Sequence, residues 1–360
     1  MTAGKAKGLR KMKAVILVGG PGTRLQPLTD DRPKSVVPVL NRPIMEHILA
    51  YLKQFGIEDI ILTLSYLPDV IQGYLGDGRR LGVRLTYCLE EEPLGTAGAV
   101  KNAEAYLDGT FVVMNGDVFT DMNLNDMLAF HRSKKAMATI SLTWVDNPGA
   151  FGVVETDADQ KVKRFIEKPP PAEATTNWIN AGTYILEPEV LAHIPSNRHY
   201  MFEKGLFPCL LDTGMPVFGY PYRGYWLDIG TPEKYFSLNI DLLLSKIKSP
   251  LINDSGKDNV YFGQGVSVHP SAVITPPVMI DSGCRICRGV HVRGPVVIGR
   301  DCRLEDDASL ENVILWDNVS IGAKSKLSWC IIGSNTVIGN SRNIMNSMVT
   351  PSQTVPLLRK

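Results

Sequence analysis

Net charge is almost absent from this chain: 38 Lys and Arg stand against 37 Asp and Glu, leaving +1. That balance gives no global field for a nucleic acid or an anionic membrane, so neither is expected as a partner. Cysteine is also sparse, six in 360 residues. Scattered as they are, they exclude a disulfide scaffold and fit reduced thiols. Cys284 and Cys287 form one CxxC, but a zinc site needs two further ligands at suitable spacing. Long apolar runs are missing as well. Residues 14–18 are too few to cross a bilayer and lead directly into Gly19-Gly20, so neither export nor a membrane anchor is expected, and the expected compartment is the cytoplasm. The basic start (Lys5, Lys7, Arg10, Lys11 and Lys13) reads as a solvated tail, bounded at residues 1–12 ahead of the first domain.

What is present falls into two patterns, as the length allows. From residue 13 to about 245, short apolar runs at 15–18, 60–64, 83–87 and 111–114 alternate with helical stretches near 43–55, 68–75 and 97–107. Alternation of this kind predicts an α/β domain with a Rossmann-like, mostly parallel sheet whose ligands bind at the carboxyl ends of the strands. Pro43 after Asn41 suits a first helical position, and Gly95 or Thr96 can open the third helix. Residues 137–187 are strand-rich and read as an added layer. A linker is expected over 246–260.

Residues 261–347 keep a six-residue period. Every sixth position from Val268 to Trp316 is apolar without a miss, and the positions two before each, from Val266 to Ile314, are small or apolar. Such a hexapeptide repeat predicts a left-handed parallel β-helix, with inward residues stacking coil on coil. Cys284 and Cys302 then lie one coil apart, about 4.8 Å by strand spacing. The register slips after Trp316, which predicts an irregular coil near Asp317. Coil stacks end in open strand edges, so a homo-oligomer held through the β-helix is expected, with the repeats serving assembly. Residues 348–360 form a tail without a pattern.

The chemistry-bearing segment comes directly after the first strand. Gly19, Gly20 and Gly22 let the backbone approach a ligand and expose N–H groups to phosphate oxygens. Their spacing is neither GxGxxG nor GxxxxGK[ST], so dehydrogenase and ordinary kinase or ATPase readings lose support. The run GGPGTRLQPLTDDRPKSVVPV, residues 19–39, places Arg24 and Lys34 on one long loop. Here the sequence resembles the sugar nucleotidylyltransferase family.

That resemblance implies a reaction between a nucleoside triphosphate and a sugar 1-phosphate, with release of pyrophosphate. Arg24 and Lys34 would neutralise the phosphates, and Leu17, Gly19, Gly20, Gly22, Thr23, Glu91, Gly95, Thr96 and Gly116 would line the nucleotide. Asp117, in Asn115-Gly116-Asp117, and Asp228, in WLDIGTP, resemble the family's metal-binding pair, with Mg²⁺ the expected ion. Gly152, Glu167, Lys168, Asn180 and Gly182 would hold the sugar phosphate, Lys168 also stabilising the transition state. No general base is required, because a phosphate monoester with a second pKa of about 6 is mostly dianionic at neutral pH.

The stretch 90–98 and the repeat domain together most resemble mannose-1-phosphate guanylyltransferases; glucose-1-phosphate thymidylyl- and uridylyltransferases share the framework. Two rivals come from other classes. A hexapeptide acyltransferase would use His269 or His291 as base. A non-catalytic relative, of the kind found among exchange-factor subunits of translation initiation, would have no reason to keep Arg24, Lys34, Asp117, Lys168 and Asp228 together.

Overall fold

Four parallel strands open the fold in the computed structural model, which describes residues 12–252 and 259–357. The basic tail up to residue 11, residues 253–258 of the expected linker and residues 358–360 lie outside the described residues. The chain packs as two units: residues up to Gly20 with Ile48–Leu227, and Pro21–His47 with the chain from Asp228 onward. Packing therefore does not follow a linear boundary near 245–261. The segment Pro21–His47, with Gly22, Arg24 and Lys34, and the helix Pro232–Leu243 belong with the repeats, whereas Gly19 and Gly20 belong with the sheet.

In the first unit, strand Lys13–Leu17 pairs in parallel with Asp59–Leu64 on one side and Phe111–Asn115 on the other, and Arg84–Leu89 extends the sheet. Strands covered on both faces lose the two-residue period and read as continuous apolar runs. Ala14, Val15 and Ile16, Ile60 to Leu62, and Phe111 to Met114 are accordingly all buried. The strand-rich region is no separate layer. Trp178–Leu186 runs antiparallel to Phe111–Asn115, so the same sheet continues through Gly152–Thr156, Val162–Glu167, Ala138–Trp144 and Val217–Tyr222.

One helix start and one helix end differ from expectation. Pro43 is not helical: it pairs with Pro38 in a two-residue antiparallel contact, turned by Leu40 and Asn41 at positive φ, and the helix begins at Ile44. The third helix covers only Gly95–Asn102, after which the chain tightens into a 3₁₀ turn at Glu104–Tyr106.

In the second unit, the repeats form stacked parallel strands of a β-helix. Early coils pair at an offset of eighteen residues, as Val292 does with Leu310; later ones at seventeen, as Leu310 does with Leu327. The change occurs where the two-residue corner Gly294-Pro295 is matched by Asn312 alone, at φ 54°. The slip therefore lies before Trp316, not after it. Val313 and Leu315 take the inward places, and Ile314 and Trp316, expected inward, leave the coil core. Cys284 and Cys302 do stack inward as free thiols, each 3.0 Å from a backbone carbonyl, of Gly299 and Trp316 respectively. At the first coil Val268 is 37% exposed, so that end of the stack is open. Among the described residues no helix is long and apolar enough to cross a membrane.

His47 locks the chain at Val39 to the segment after the helix Pro232–Leu243. Its Nε2 donates to Val39 O at 2.9 Å and its Nδ1 accepts from Ser249 Oγ at 2.7 Å. Burial disfavours the imidazolium and lowers the pKa from 6.5 to about 4. The unfolded chain takes up a proton near 6.5 that the folded chain refuses until about 4, so this contribution is complete above 6.5 and is lost as pH falls towards 4. Between pH 7 and pH 5, wild type should lose about 2 kcal/mol that His47→Gln does not lose, read from denaturant midpoints at both pH values. Equal losses would mean that His47 is not held neutral.

Candidate active site

The first unit brings Leu17, Gly19, Gly20, Gly116 and Asp117 together at the carboxyl ends of its parallel strands. Leu17 ends the central strand, and Gly116 donates to its carbonyl at 3.0 Å. A Cβ on Gly116 would stand 2.7 Å from that oxygen, so only glycine allows the approach. Ser65 donates to Gly19 O at 2.7 Å, while Gly20 faces open space. Asp117 is next in the chain, half-buried.

The acidic run divides in role. Glu91 is exposed. Glu90, by contrast, is half-buried; its Oε2 accepts from Leu94 N at 2.9 Å, and its Oε1 would be 3.8 Å from a Cβ on Gly19. Burial raises its pKa. Behind it, the backbone of residues 198–200 closes on the helix start: Ala97 and Gly98 both donate to Tyr200 O, and side chains at Gly95 or Gly98 would strike this segment at 2.8 and 2.7 Å.

The sugar-side residues surround a bulge. Strand Trp178–Leu186 shifts register between Asn180 and Tyr184, where Gly182 adopts φ 72°. Asn180 spans the bulge, accepting from Gly182 N at 3.0 Å and donating to the Tyr184 hydroxyl at 2.8 Å. Trp226 Nε1 donates to Ala181 O at 2.9 Å, and its ring meets Phe151 edge-on. Gly152 is hemmed in by Glu167, whose Oε2 would lie 2.8 Å from a Cβ there. Lys168 is exposed, at φ 49°, with Nζ 3.8 Å from Glu167 Oε1.

One carboxylate here went unread in the sequence. Glu203, in the π-helical turn Phe202–Leu206, accepts from Thr96 Oγ1 at 3.1 Å, and Thr96 Oγ1 in turn accepts from Phe202 N. Burial first, then the charge of Glu167, raises its pKa. The same two carboxylates lie within electrostatic reach of Tyr184, whose pKa burial drives well above its ordinary value. No motif marks Glu203: its partner is 107 residues away.

In the second unit, Gly22 turns the loop at φ 68°, and Thr29 Oγ1 donates back to its carbonyl at 2.9 Å. Thr23 and Arg24 lie on the 3₁₀ turn Thr23–Leu25, and Lys34 begins another at Lys34–Val36. Arg24 and Asp228 meet around Gly230, where a Cβ would be 3.2 Å from Arg24 Nη1 and 3.1 Å from Asp228 Oδ2. Lys234 pairs with Asp228 from the first turn of the next helix, which Thr231 caps. The expected metal ligands thus fall one on each unit. Among the described residues no group of three or more His, Cys, Asp or Glu is gathered.

In the first unit, a parallel sheet whose central strand runs into glycines, with Gly116-Asp117 on the neighbouring strand end, has the form of a nucleotide-binding sheet. The chain belongs to the nucleotidyl transferase family, whose model matches residues 13–244. A second model, the EIF2B subunit epsilon LbH domain, matches residues 257–355. Over 87% of its length the chain is 37% identical to a mannose-1-phosphate guanylyltransferase of Mycobacterium tuberculosis, covering 82% of that protein. It is 36% identical to a UTP–glucose-1-phosphate uridylyltransferase of Synechocystis, covering 88% of this chain and 86% of that one. A mannose-1-phosphate guanylyltransferase of Arabidopsis thaliana is 34% identical, over 94% and 93%. Among solved structures, a putative glucose-1-phosphate thymidylyltransferase from Bacillus anthracis superposes with TM-score 0.59 at 27% identity, covering 68% of this chain and 98% of that one.

Glu203 offers a test that needs no substrate. A carboxyl whose folded pKa is raised contributes fully at pH below its unfolded value and loses stability as pH rises through the folded value. Glu203→Gln keeps the acceptor for Thr96 and removes the charge. Its thermal midpoint should exceed wild type at pH 8, and the gain should shrink at pH 4.5. A gain of equal size at both pH values would show that Glu203 carries no buried charge.

Proposed function

We propose that this chain joins GTP to mannose 1-phosphate, forming GDP-mannose and pyrophosphate by in-line displacement at the α-phosphorus. The observation that carries the reading is sustained likeness to mannose-1-phosphate guanylyltransferases through both the nucleotidyl transferase region and the repeats, as with the Arabidopsis relative at 94% coverage. UTP with glucose 1-phosphate is the second reading, favoured by the Synechocystis relative.

In this mechanism the sugar phosphate dianion attacks without a general base. Arg24 and Lys34 offset charge on the triphosphate and on the departing pyrophosphate. Leu17, Gly19, Gly20, Gly22, Thr23, Gly95, Thr96 and Gly116 shape the nucleotide side. The half-buried Glu90 is better supported than the exposed Glu91 as the acceptor for the guanine N1–H and amino group. Glu167 and Asn180 accept from sugar hydroxyls, Gly152 and Gly182 make room for the ring, and Lys168 binds the sugar phosphate.

Asp117 and Asp228 are hard oxygen donors, and a pair of carboxylates completed by phosphate oxygens and water suits Mg²⁺. When bound, that ion would neutralise charge on the phosphate oxygens. Cytoplasmic residence and a homo-oligomer built through the repeats belong to the same proposal.

Pyrophosphate release should be fastest for GTP with mannose 1-phosphate in a panel of GTP, UTP, dTTP, ATP and CTP against mannose and glucose 1-phosphates. A tenfold higher kcat/KM for UTP or dTTP with glucose 1-phosphate would overturn the guanylyl assignment. In the preferred pair, Asp117→Asn and Asp228→Asn should each lower kcat by about 10²- to 10³-fold. Activity within about threefold of wild type at saturating Mg²⁺ would remove that residue from the ion's site.

A further inference from the structure

Trp316 sits on a coil corner, immediately after the inward Leu315, yet it is buried. What covers it is the segment that carries Arg24 and Lys34. The Arg32 guanidinium lies over the indole ring, 4.9 Å from its centroid, and is itself held by Asp31 at 2.8 Å. Trp316 Nε1 donates to the Tyr235 hydroxyl at 2.9 Å, and that hydroxyl donates to Pro38 O. A phenol has one proton to give. With the indole N–H on its acceptor side, that proton is directed to the Pro38 carbonyl. Lys34 lies between these two ties, two residues after Arg32 and four before Pro38.

Neighbouring bonds fix the same stretch. Gln353 donates to Asp30 Oδ2 at 2.9 Å, Leu40 N to Asn239 Oδ1 at 2.9 Å, and Asn41 Nδ2 to Ile298 O at 2.9 Å. From Asp30 to Asn41 the loop is therefore tied every few residues to the coils, to the turn after the last coil or to helix Pro232–Leu243. A loop that grips phosphates must hold its cations to within about half an ångström, which loops do only when a rigid element supports them. We propose that Trp316 is a positioning residue for this loop, so that the β-helix contributes to nucleotide handling as well as to any assembly.

The activity arm of the test rests on the proposed reaction; the exchange arm does not. Trp316→Phe keeps an aromatic ring beneath Arg32 and removes the donor, and Tyr235→Phe breaks the same relay at its middle. Either variant should speed hydrogen exchange of the amides between residues 34 and 41 by about tenfold, as expected for one lost buried hydrogen bond. The KM for GTP should rise about five- to tenfold, with the KM for mannose 1-phosphate within about twofold. Because both changes cut one relay, the double variant should be no worse than the poorer single one. Unchanged exchange in both single variants overturns the proposal, as does a parallel rise of both KM values with a lowered thermal midpoint. If wild type turns over no nucleotide, the substrate reading fails and exchange alone decides the role of Trp316.

Discussion

Strand Lys13–Leu17 is bonded on both sides, Leu17 standing level with Thr63 on one neighbour and with Asn115 on the other. That shared register makes three segments leave the sheet at one height: Gly19-Gly20, Ser65, and Gly116-Asp117. The Gly116 amide bonded to Leu17 O and the Ser65 hydroxyl bonded to Gly19 O then draw them together. A single step of slippage would turn each side chain to the opposite face and disperse the set. The proposed nucleotide chemistry in the first unit thus depends on a backbone ladder made of residues that take no part in it.

The second unit owes its working geometry to a single missing residue. Eighteen-residue coils repeat three flat faces, and the loss of one corner residue at Asn312 rotates the later residues of the coil by one place. Leu315 then fills the coil, and Trp316 is turned out to meet Tyr235 and Arg32. The buried thiols are the counter-example. Cys284 and Cys302 stay in the stack and satisfy backbone carbonyls, so packing accounts for them without metal or redox chemistry.

Much of this was legible from residues alone, for a physical reason in each case. Doubly covered strands must be apolar throughout, so residues 14–16 and 111–114 announced themselves. A coil that stacks on itself must repeat its inward residues, so the six-residue period exposed the β-helix. Glycines and charges at the strand ends carried the family motif. The losses have equally local causes. Pro43 is as suited to an extended pair as to a helix start, and what decides is positive φ at Leu40 and Asn41, which Asn tolerates readily but Leu does not advertise. Trp316 and Leu315 are both apolar, so hydropathy could not say which one faced inward. Glu203 acts through a contact to Thr96 that joins distant segments, and no local pattern records it.

The proposed reaction needs no covalent intermediate, because the attacking phosphate is already an anion and the protein's part is to place cations and hydrogen-bond donors around the transferring group. Stereochemistry at the α-phosphorus reads this directly. With a GTP analogue bearing sulfur in place of one α-oxygen in a single configuration, the configuration of the GDP-sugar product can be assigned by phosphorus NMR. A single in-line displacement by the sugar phosphate predicts inversion; retention would require a nucleotidylated enzyme and would contradict the account.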